Sequence, residues 1–161
     1  MSLLLAGWAV ALSAAETNTV VAAHASDLVV LQGQELVPYD ATRLKAPVTV
    51  LYFGAGWCPD CRKFSPKLVA AYNAQPKEKR FEVLFISRDK NEDGMIRFMK
   101  TEKMPWPALS YSKVEGAEGL KKFYSGKGIP CLTIIDAKGK VLKQSASDQD
   151  AEQVLNDFFG R

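Results

Sequence analysis

Apolar and polar positions along the chain follow two kinds of pattern, those of buried strands and those of amphipathic helices. Residues 48–53 are almost continuously apolar, which is typical of a strand buried on both faces of a sheet. From Phe64 to Tyr72 apolar residues recur at helical spacing, which predicts a helix over residues 59–74. A second buried strand follows at residues 82–87. These patterns predict a right-handed strand–helix–strand unit with parallel strands.

Shorter patterns on both sides complete the predicted fold. They predict an N-terminal hairpin (residues 28–31 and 35–38) and a helix after the second buried strand (residues 91–100). They also predict a short helix in a loop-rich region (residues 119–124), a second hairpin (residues 132–135 and 141–144) and a last helix (residues 149–159). The chain has 161 residues, 47% of them hydrophobic and 24% charged, which is enough for one buried core. We predict an α/β fold with a central mixed sheet flanked by helices and an N-terminal β-hairpin extension.

The charge pattern excludes one class of partner. The net charge is +3, and no cluster of Lys and Arg interleaves with aromatic residues as a groove for single strands requires. The basic stretches at residues 77–80 and 121–122 are typical of solvated helix ends. We therefore expect no nucleic-acid partner.

The N-terminal segment bears on the compartment of the protein. Residues 3–14 form a short apolar run, and small-residue sites that resemble signal-peptidase sites follow at residues 13–15 and 23–25. The run lacks a positively charged start and is too short for a membrane span. We predict that residues 1–25 are a signal-peptide-like or N-terminal tail segment and residues 26–161 a domain without a membrane span. The predicted address is periplasmic or secreted, and the alternative is a cytoplasmic protein with a docked N-terminal helix.

A Cys-x-x-Cys sequence at Cys58 and Cys61 opens the predicted helix directly after the first buried strand. A zinc site would need a second pair of ligands, and the chain offers only Cys131 and His24 of the tail, so we expect no metal. At a helix start, backbone N–H groups and the positive end of the helix dipole stabilise a thiolate at Cys58. Cys61, one turn further on, is placed to attack a mixed disulfide formed at Cys58. Pro59 suits the first helical position because its missing N–H is not needed there.

Charged neighbours should tune this redox pair. The carboxylate of Asp60 opposes thiolate formation, whereas the cations of Arg62 and Lys63 favour it. Because these effects partly cancel, we predict a reductant-like couple rather than a strong oxidant.

The segment from residue 48 to 66, VTVLYFGAGWCPDCRKFSP, resembles the active-site segment of thioredoxin-fold proteins, most closely the nucleoredoxin, tryparedoxin and TlpA-like branch. Residues 81–87, 104–109 and 128–133 resemble that branch's next strand, its Met-Pro-Trp segment and its cis-proline loop, in the same order. The resemblance implies a thioredoxin-like thiol:disulfide oxidoreductase that reduces disulfides of partner proteins. It further implies no cofactor other than the redox-active Cys58–Cys61 disulfide, a monomer, and a thiol electron donor that the sequence does not identify.

The resemblance also assigns residues around the motif. Pro130 takes the place of the cis-proline, and the backbone of Ile129 pairs with an extended substrate. Trp57 belongs to the exposed surface that contacts the substrate. Trp106, between two prolines, either lines a substrate groove or packs over the core.

Two positions depart from the family pattern. Tyr52 stands six residues before Cys58, where many thioredoxins have a buried acid. It is either a hydrogen-bonding neighbour of the site or an aromatic packed in the core. Cys131 follows Pro130, where the family has threonine or another small residue. It is either a third thiol that reaches Cys58 or a small buried hydrophobe.

Two alternatives to a general reductase remain open at this point. Within the same fold, the protein could be a dedicated electron donor for cytochrome c maturation or for a peroxidase. From another class, it could be a non-catalytic module that holds extended peptides by strand-like pairing in the same groove.

Overall fold

The computed structural model describes residues 18–145 and 150–160. The helices and strands in this part of the chain are α1 (Thr19–Ala22), β1 (Leu28–Gln32), β2 (Glu35–Pro38), β3 (Val48–Gly54), α2 (Pro59–Asn73), β4 (Phe81–Ser87), α3 (Glu92–Thr101), β5 (Ala108–Leu109), α4 (Tyr111–Val114), α5 (Glu118–Lys121), β6 (Cys131–Asp136), β7 (Val141–Gln144) and α6 (Ala151–Phe159). Single 3₁₀ turns lie at Ala25–Asp27 and Ala41–Arg43. The predicted apolar run at residues 3–14 lies outside the described residues.

The strands form one mixed sheet in the order β2-β1-β5-β4-β3-β6-β7. At its centre β3 pairs in parallel with β4 and antiparallel with β6, so that Tyr52 lies between Phe85 and Leu132. Helix α2 lies between these two parallel strands along the chain, so β3, α2 and β4 form the predicted strand–helix–strand unit. The N-terminal hairpin β1–β2 extends the sheet through an antiparallel pairing of β1 with β5. The predicted α/β fold with a mixed sheet and an N-terminal hairpin is confirmed.

Both faces of the sheet are covered, and alternate residues of β3 serve opposite faces. The first face carries Val50 and Tyr52 and packs against α2, α3 and α6. The second face carries Leu51 and Phe53 and packs against α1, α4 and α5. Because both faces are buried, the central strands need apolar residues at nearly every position, which explains the continuous run in the sequence.

The region predicted as loop-rich contains a strand and a helix that the sequence pattern did not reveal. β5 has only two residues, and α4 has four. β5 exists because Ala108 pairs with both Phe85 of β4 and Val29 of β1. Such a short strand has no periodicity of its own, so only its neighbours define it.

The segment just before the predicted domain boundary packs against the domain. Val21 of α1 is fully buried in the second-face core. The side chain of Asn18 accepts hydrogen bonds from the N–H groups of Val20 and Val21 and donates one to the carbonyl of Asp136 at 2.7 Å. The boundary between residues 25 and 26 stays a prediction, but α1 on its N-terminal side contributes to the described core.

Within the described residues, no helix combines the length and the apolar character that crossing a bilayer would require.

Candidate active site

Cys58 is the N-cap of α2, the residue whose side chain caps the first turn of the helix. Its backbone is extended, and its Sγ accepts a hydrogen bond from the N–H of Cys61 at 3.3 Å. Pro59 occupies the first helical position, as predicted from its missing N–H. The sulfur thus takes the role that a Ser or Asp oxygen has in other helices, beside unpaired N–H groups at the positive end of the dipole. Sγ of Cys58 therefore lies at the N-terminal end of α2, in contact with its first turn.

Cys61 is fully buried against the first face of the sheet. Burial raises the pKa of its thiol far above the ordinary value, and the hydrogen bond with Cys58 adds to this rise. Hydrogen bonds from the backbone at Ala55 and from Tyr52 lower the pKa of Cys61, but they do not offset the burial. Both cysteines are buried, and they differ in their surroundings: Sγ of Cys58 caps α2, whereas the fully buried Cys61 is a protonated thiol.

Tyr52 satisfies both interpretations given to it, since it is a core aromatic and also a hydrogen-bonding neighbour of the cysteines. The residue is fully buried, and its hydroxyl lies 2.8 Å from Oγ of Ser65. Ser65 in turn donates a hydrogen bond to the carbonyl of Cys61 at 2.8 Å. Burial raises the pKa of Tyr52 well above 10, so its hydroxyl keeps its proton.

Gly54, at the end of β3, makes room for this tyrosine. A Cβ added to Gly54 would lie 2.7 Å from both Cζ and the hydroxyl oxygen of Tyr52. Any larger residue would displace the end of the ring, and with it the hydroxyl that reaches Ser65.

The loop before β6 lies against Cys58. The Ile129–Pro130 peptide bond is cis. The thiol of Cys58 points at the carbonyl oxygen of Ile129, with the sulfur 3.5 Å away. A groove runs between this loop and α2, and Asp60, Lys63 and residues 127–130 line it. Ile129 and Pro130 are half-buried, so part of the loop remains accessible from the groove.

The charged residues expected to tune the pair lie at the surface. Asp60 and Lys63 form an exposed ion pair at 3.6 Å. Arg62 donates a hydrogen bond from Nη1 to the carbonyl of Gly56 at 2.7 Å. Since exposed charges are screened by water, their effect on the sulfurs is small, and the predicted redox tuning stays a prediction.

Trp57 lies beside the cysteines and is 54% exposed. Its indole nitrogen donates a hydrogen bond to the carbonyl of Arg88 at 3.0 Å. The next residue, Asp89, accepts a hydrogen bond from the N–H of Gly56 at 2.9 Å. Sequence reasoning missed residues 87–89. The available signal was that β3 and β4 are parallel neighbours, so the loops after them meet at the same edge of the sheet.

The prediction that Trp106 lines a substrate groove is wrong. Trp106 is fully buried on the first face and packs edge-on against Tyr72 at a centroid distance of 5.4 Å. A hydrogen bond from the N–H of Phe85 to the carbonyl of Pro107 holds the segment against β4, which directs the indole into the core. Of the two options for Trp106, core packing is the one observed.

Cys131 lies on the opposite face of the sheet from Cys61. It is 1% exposed in the second-face core, beside Phe53 in the neighbouring strand. Its Sγ lies 3.6 Å from Oγ of Ser125. With the sheet between the sulfurs, the structure favours the small buried hydrophobe over the third reactive thiol.

Across residues 18–145 and 150–160, no group of three or more His, Cys, Asp and Glu side chains is arranged to hold a metal ion.

Fold and site together define a thioredoxin-fold protein with a helix-capping dithiol. The model of the family described as thioredoxin-like matches residues 47–141. The chain belongs to this thioredoxin-like family.

Individual relatives agree with this family. Probable nucleoredoxin 1 of Arabidopsis thaliana is 31% identical over 132 residues, which are 82% of this chain and 22% of that protein. The tryparedoxin of Trypanosoma brucei has 30% sequence identity and a TM-score of 0.66, covering 88% of this chain and 94% of that chain. Tryparedoxin I of Leishmania major has 30% identity and a TM-score of 0.65, covering 86% and 95%. The chain spans 22% to 27% of the length of the first curated nucleoredoxins it matches.

Proposed function

We propose that the protein is a thiol:disulfide oxidoreductase that reduces disulfides of partner proteins through Cys58 and Cys61. The observation that carries the proposal is the inequality of the two sulfurs. Both cysteines are buried, but Cys58, at 5% exposure, caps α2 and faces the Ile129 loop, whereas the fully buried Cys61 has a thiol pKa raised by burial. Membership of the thioredoxin-like family supports dithiol exchange as the chemistry.

The first step is an attack by the thiolate of Cys58 on one sulfur of a substrate disulfide. The substrate S–S bond breaks, a mixed disulfide forms at Cys58, and the released substrate sulfur takes up a proton. Sγ of Cys58 is the attacking atom in this proposal, and the N–H of Cys61 at the start of α2 points at it.

The second step is an attack by Cys61 on Sγ of Cys58. Cys61 must lose its proton for this attack, and the second substrate sulfur leaves as a thiolate that gains one. The product is the Cys58–Cys61 disulfide and a substrate dithiol, so two electrons move to the substrate. A thiol donor must then reduce the protein again.

The substrate enters, in this proposal, along the groove between α2 and the loop at residues 127–130. The half-buried backbone of Ile129 offers strand-like pairing to an extended substrate segment next to the disulfide. Trp57, which is largely exposed at the same end of the site, supplies an apolar contact.

Insulin reduction in the presence of dithiothreitol tests the proposal. We expect turnover in the wild type and none above background in Cys58→Ser. In a separate mixture without dithiothreitol, pre-reduced Cys61→Ser should accumulate a mixed disulfide with insulin, detectable by non-reducing gel and mass spectrometry. Equal rates with and without wild-type protein would refute the reductase and favour the peptide-binding module. Capture of partners by Cys61→Ser would then identify physiological substrates.

A further inference from the structure

Asp89 lies outside the Cys-x-x-Cys motif, yet it makes the main contact between the loops at the edge of the site. Residues 55–58 join β3, which ends at Gly54, to α2, and residues 88–89 begin the loop after β4. The N–H of Arg88 donates to the carbonyl of Gly54 at 2.8 Å, and the N–H of Gly56 donates to Oδ1 of Asp89 at 2.9 Å. The indole of Trp57 adds a third bond, to the carbonyl of Arg88.

Ser87 and Tyr111 form further hydrogen bonds with Asp89. Oγ of Ser87 donates to Oδ2 of Asp89 at 2.9 Å and accepts from the N–H of Asp89 at 3.0 Å. Ser87 is 1% exposed, and the hydroxyl of Tyr111 donates to the carbonyl of Asp89 at 3.0 Å. With its backbone and both carboxylate oxygens bound, Asp89 has little freedom to move.

This position matters because the loop it holds ends in the nucleophile. Gly56 precedes Trp57 and Cys58, and the N–H of Cys58 donates to the carbonyl of Ala55 at 3.2 Å. A displacement of Gly56 is therefore passed directly to the N-cap residue. The N-cap geometry depends on a 3.3 Å contact between Sγ of Cys58 and the N–H of Cys61, which a shift of a few tenths of an ångström weakens.

We propose that Asp89 is a positioning residue for the dithiol: by binding the N–H of Gly56, its carboxylate fixes Cys58 at the start of α2 and Trp57 at the surface. The inference rests on the proposed reductase function. It assigns Asp89 a role through the loop and not in contact with the reacting sulfurs.

Asp89→Ala removes the acceptor and tests the role with two readouts, the alkylation rate of Cys58 by iodoacetamide at pH 7 and kcat/KM for insulin. We expect each to fall about 5- to 10-fold, the loss typical of one removed hydrogen bond that leaves a donor unpaired. Asp89→Asn keeps an oxygen for Gly56 and an amide for Ser87, so both values should recover to within about threefold of wild type.

Asp40→Ala is the matched control, because Asp40 also binds a backbone N–H, that of Thr42 at 2.9 Å, but lies in the turn before β3. It should leave both readouts unchanged. An Asp89→Ala alkylation rate within twofold of wild type, or above it, overturns the proposal even if the melting temperature falls. If Asp89→Ala does not fold, Ser87→Ala replaces it, with an expected two- to threefold loss from a weakened carboxylate contact.

The two proposals fail in different ways. If wild-type protein does not reduce insulin, the reductase function is wrong, whereas alkylation of Cys58 still reports its position. If wild-type protein is active and Asp89→Ala matches Asp40→Ala in both readouts, only the positioning role is wrong.

Discussion

Replacement of Tyr52 by phenylalanine isolates the step that depends on the buried cysteine. The ring fills the same space in the core, and only the hydroxyl is lost. That hydroxyl lies 2.8 Å from Oγ of Ser65 and lowers the pKa of Cys61 through a hydrogen bond. Ser65 uses its own proton on the carbonyl of Cys61, so Tyr52 donates to Ser65 in the resting site. Because Tyr52 keeps its proton, its hydroxyl can turn from Ser65 and donate to the thiolate that forms when Cys61 attacks.

The expected changes in stability and in the rate of attack by Cys61 both follow from the loss of a single hydrogen bond. Ser65 keeps its bond to the carbonyl of Cys61 in the variant, so no buried donor is left unpaired. The free energy of unfolding should therefore fall by only about 0.5–1.5 kcal/mol. A bond to a charged sulfur contributes more, about 1.5 kcal/mol, so the attack by Cys61 should slow about tenfold. The attack by Cys58, which Tyr52 does not contact by hydrogen bond, should keep its rate.

A single-turnover experiment separates the two attacks. Reduced protein is mixed with a disulfide peptide, quenched with acid at intervals and analysed by mass spectrometry. In Tyr52→Phe the mixed disulfide should appear at the wild-type rate and decay about tenfold more slowly, for the same loss of one hydrogen bond. Tyr39→Phe is the control, since Tyr39 packs against the second face of the sheet.

Equal decay rates in Tyr52→Phe and wild type would refute the role of the hydroxyl. A slower first step would equally contradict it, because the defect would then lie at Cys58.

Three further predictions address the rest of the molecule. Asn18→Ala removes the cap of α1 and the hydrogen bond to the carbonyl of Asp136 at the end of β6. The free energy of unfolding, measured by urea denaturation, should fall by about 1–2 kcal/mol. Ser26→Ala, at an exposed position, should leave it unchanged. Cys131→Ser should leave insulin turnover unchanged, since the side chain of Cys131 lies across the sheet from the dithiol. A change in turnover would mean that Cys131 acts as a third reactive thiol. Burial raises the pKa of Cys61 above 9.0, so the reduced protein is stabilised by the protonated thiol below about pH 9 and loses that stability as pH rises further. The melting temperature of reduced wild type between pH 7 and 10 should therefore fall more steeply than that of Cys61→Ser.

Much of the fold follows from sequence pattern because the central strands are buried on both faces. Residues 48–53 are apolar at nearly every position, and so are residues 83–86 within the second predicted strand. The observed strands β3 (Val48–Gly54) and β4 (Phe81–Ser87) each extend the predicted bounds by one residue. The helix predicted over residues 59–74 is observed as Pro59–Asn73. Two short elements were not predicted: β5 is defined by its pairing with β1 and β4, and the four-residue helix α4 is too short to show a helical period.

Some residues of the candidate site could also be placed from local sequence, and others could not. Local sequence is enough to place Cys58 at a helix start and Cys61 one turn later, since helix geometry alone sets that relation. It does not reveal which way Trp106 faces, because flanking prolines fix an extended backbone but not its direction.

The sequence by itself determined the order of the longer strands and helices, the redox pair and the family resemblance, all of which depend on near neighbours in the chain. The tertiary structure decided the rest: that the Ile129 loop meets Cys58, that Tyr52 reaches Ser65, that Cys131 faces away, and that Asp89 binds the loop before the nucleophile. The physical reason is that these contacts join residues from different strands and helices. Strand order and the alternation of side chains between the sheet faces bring them together or apart.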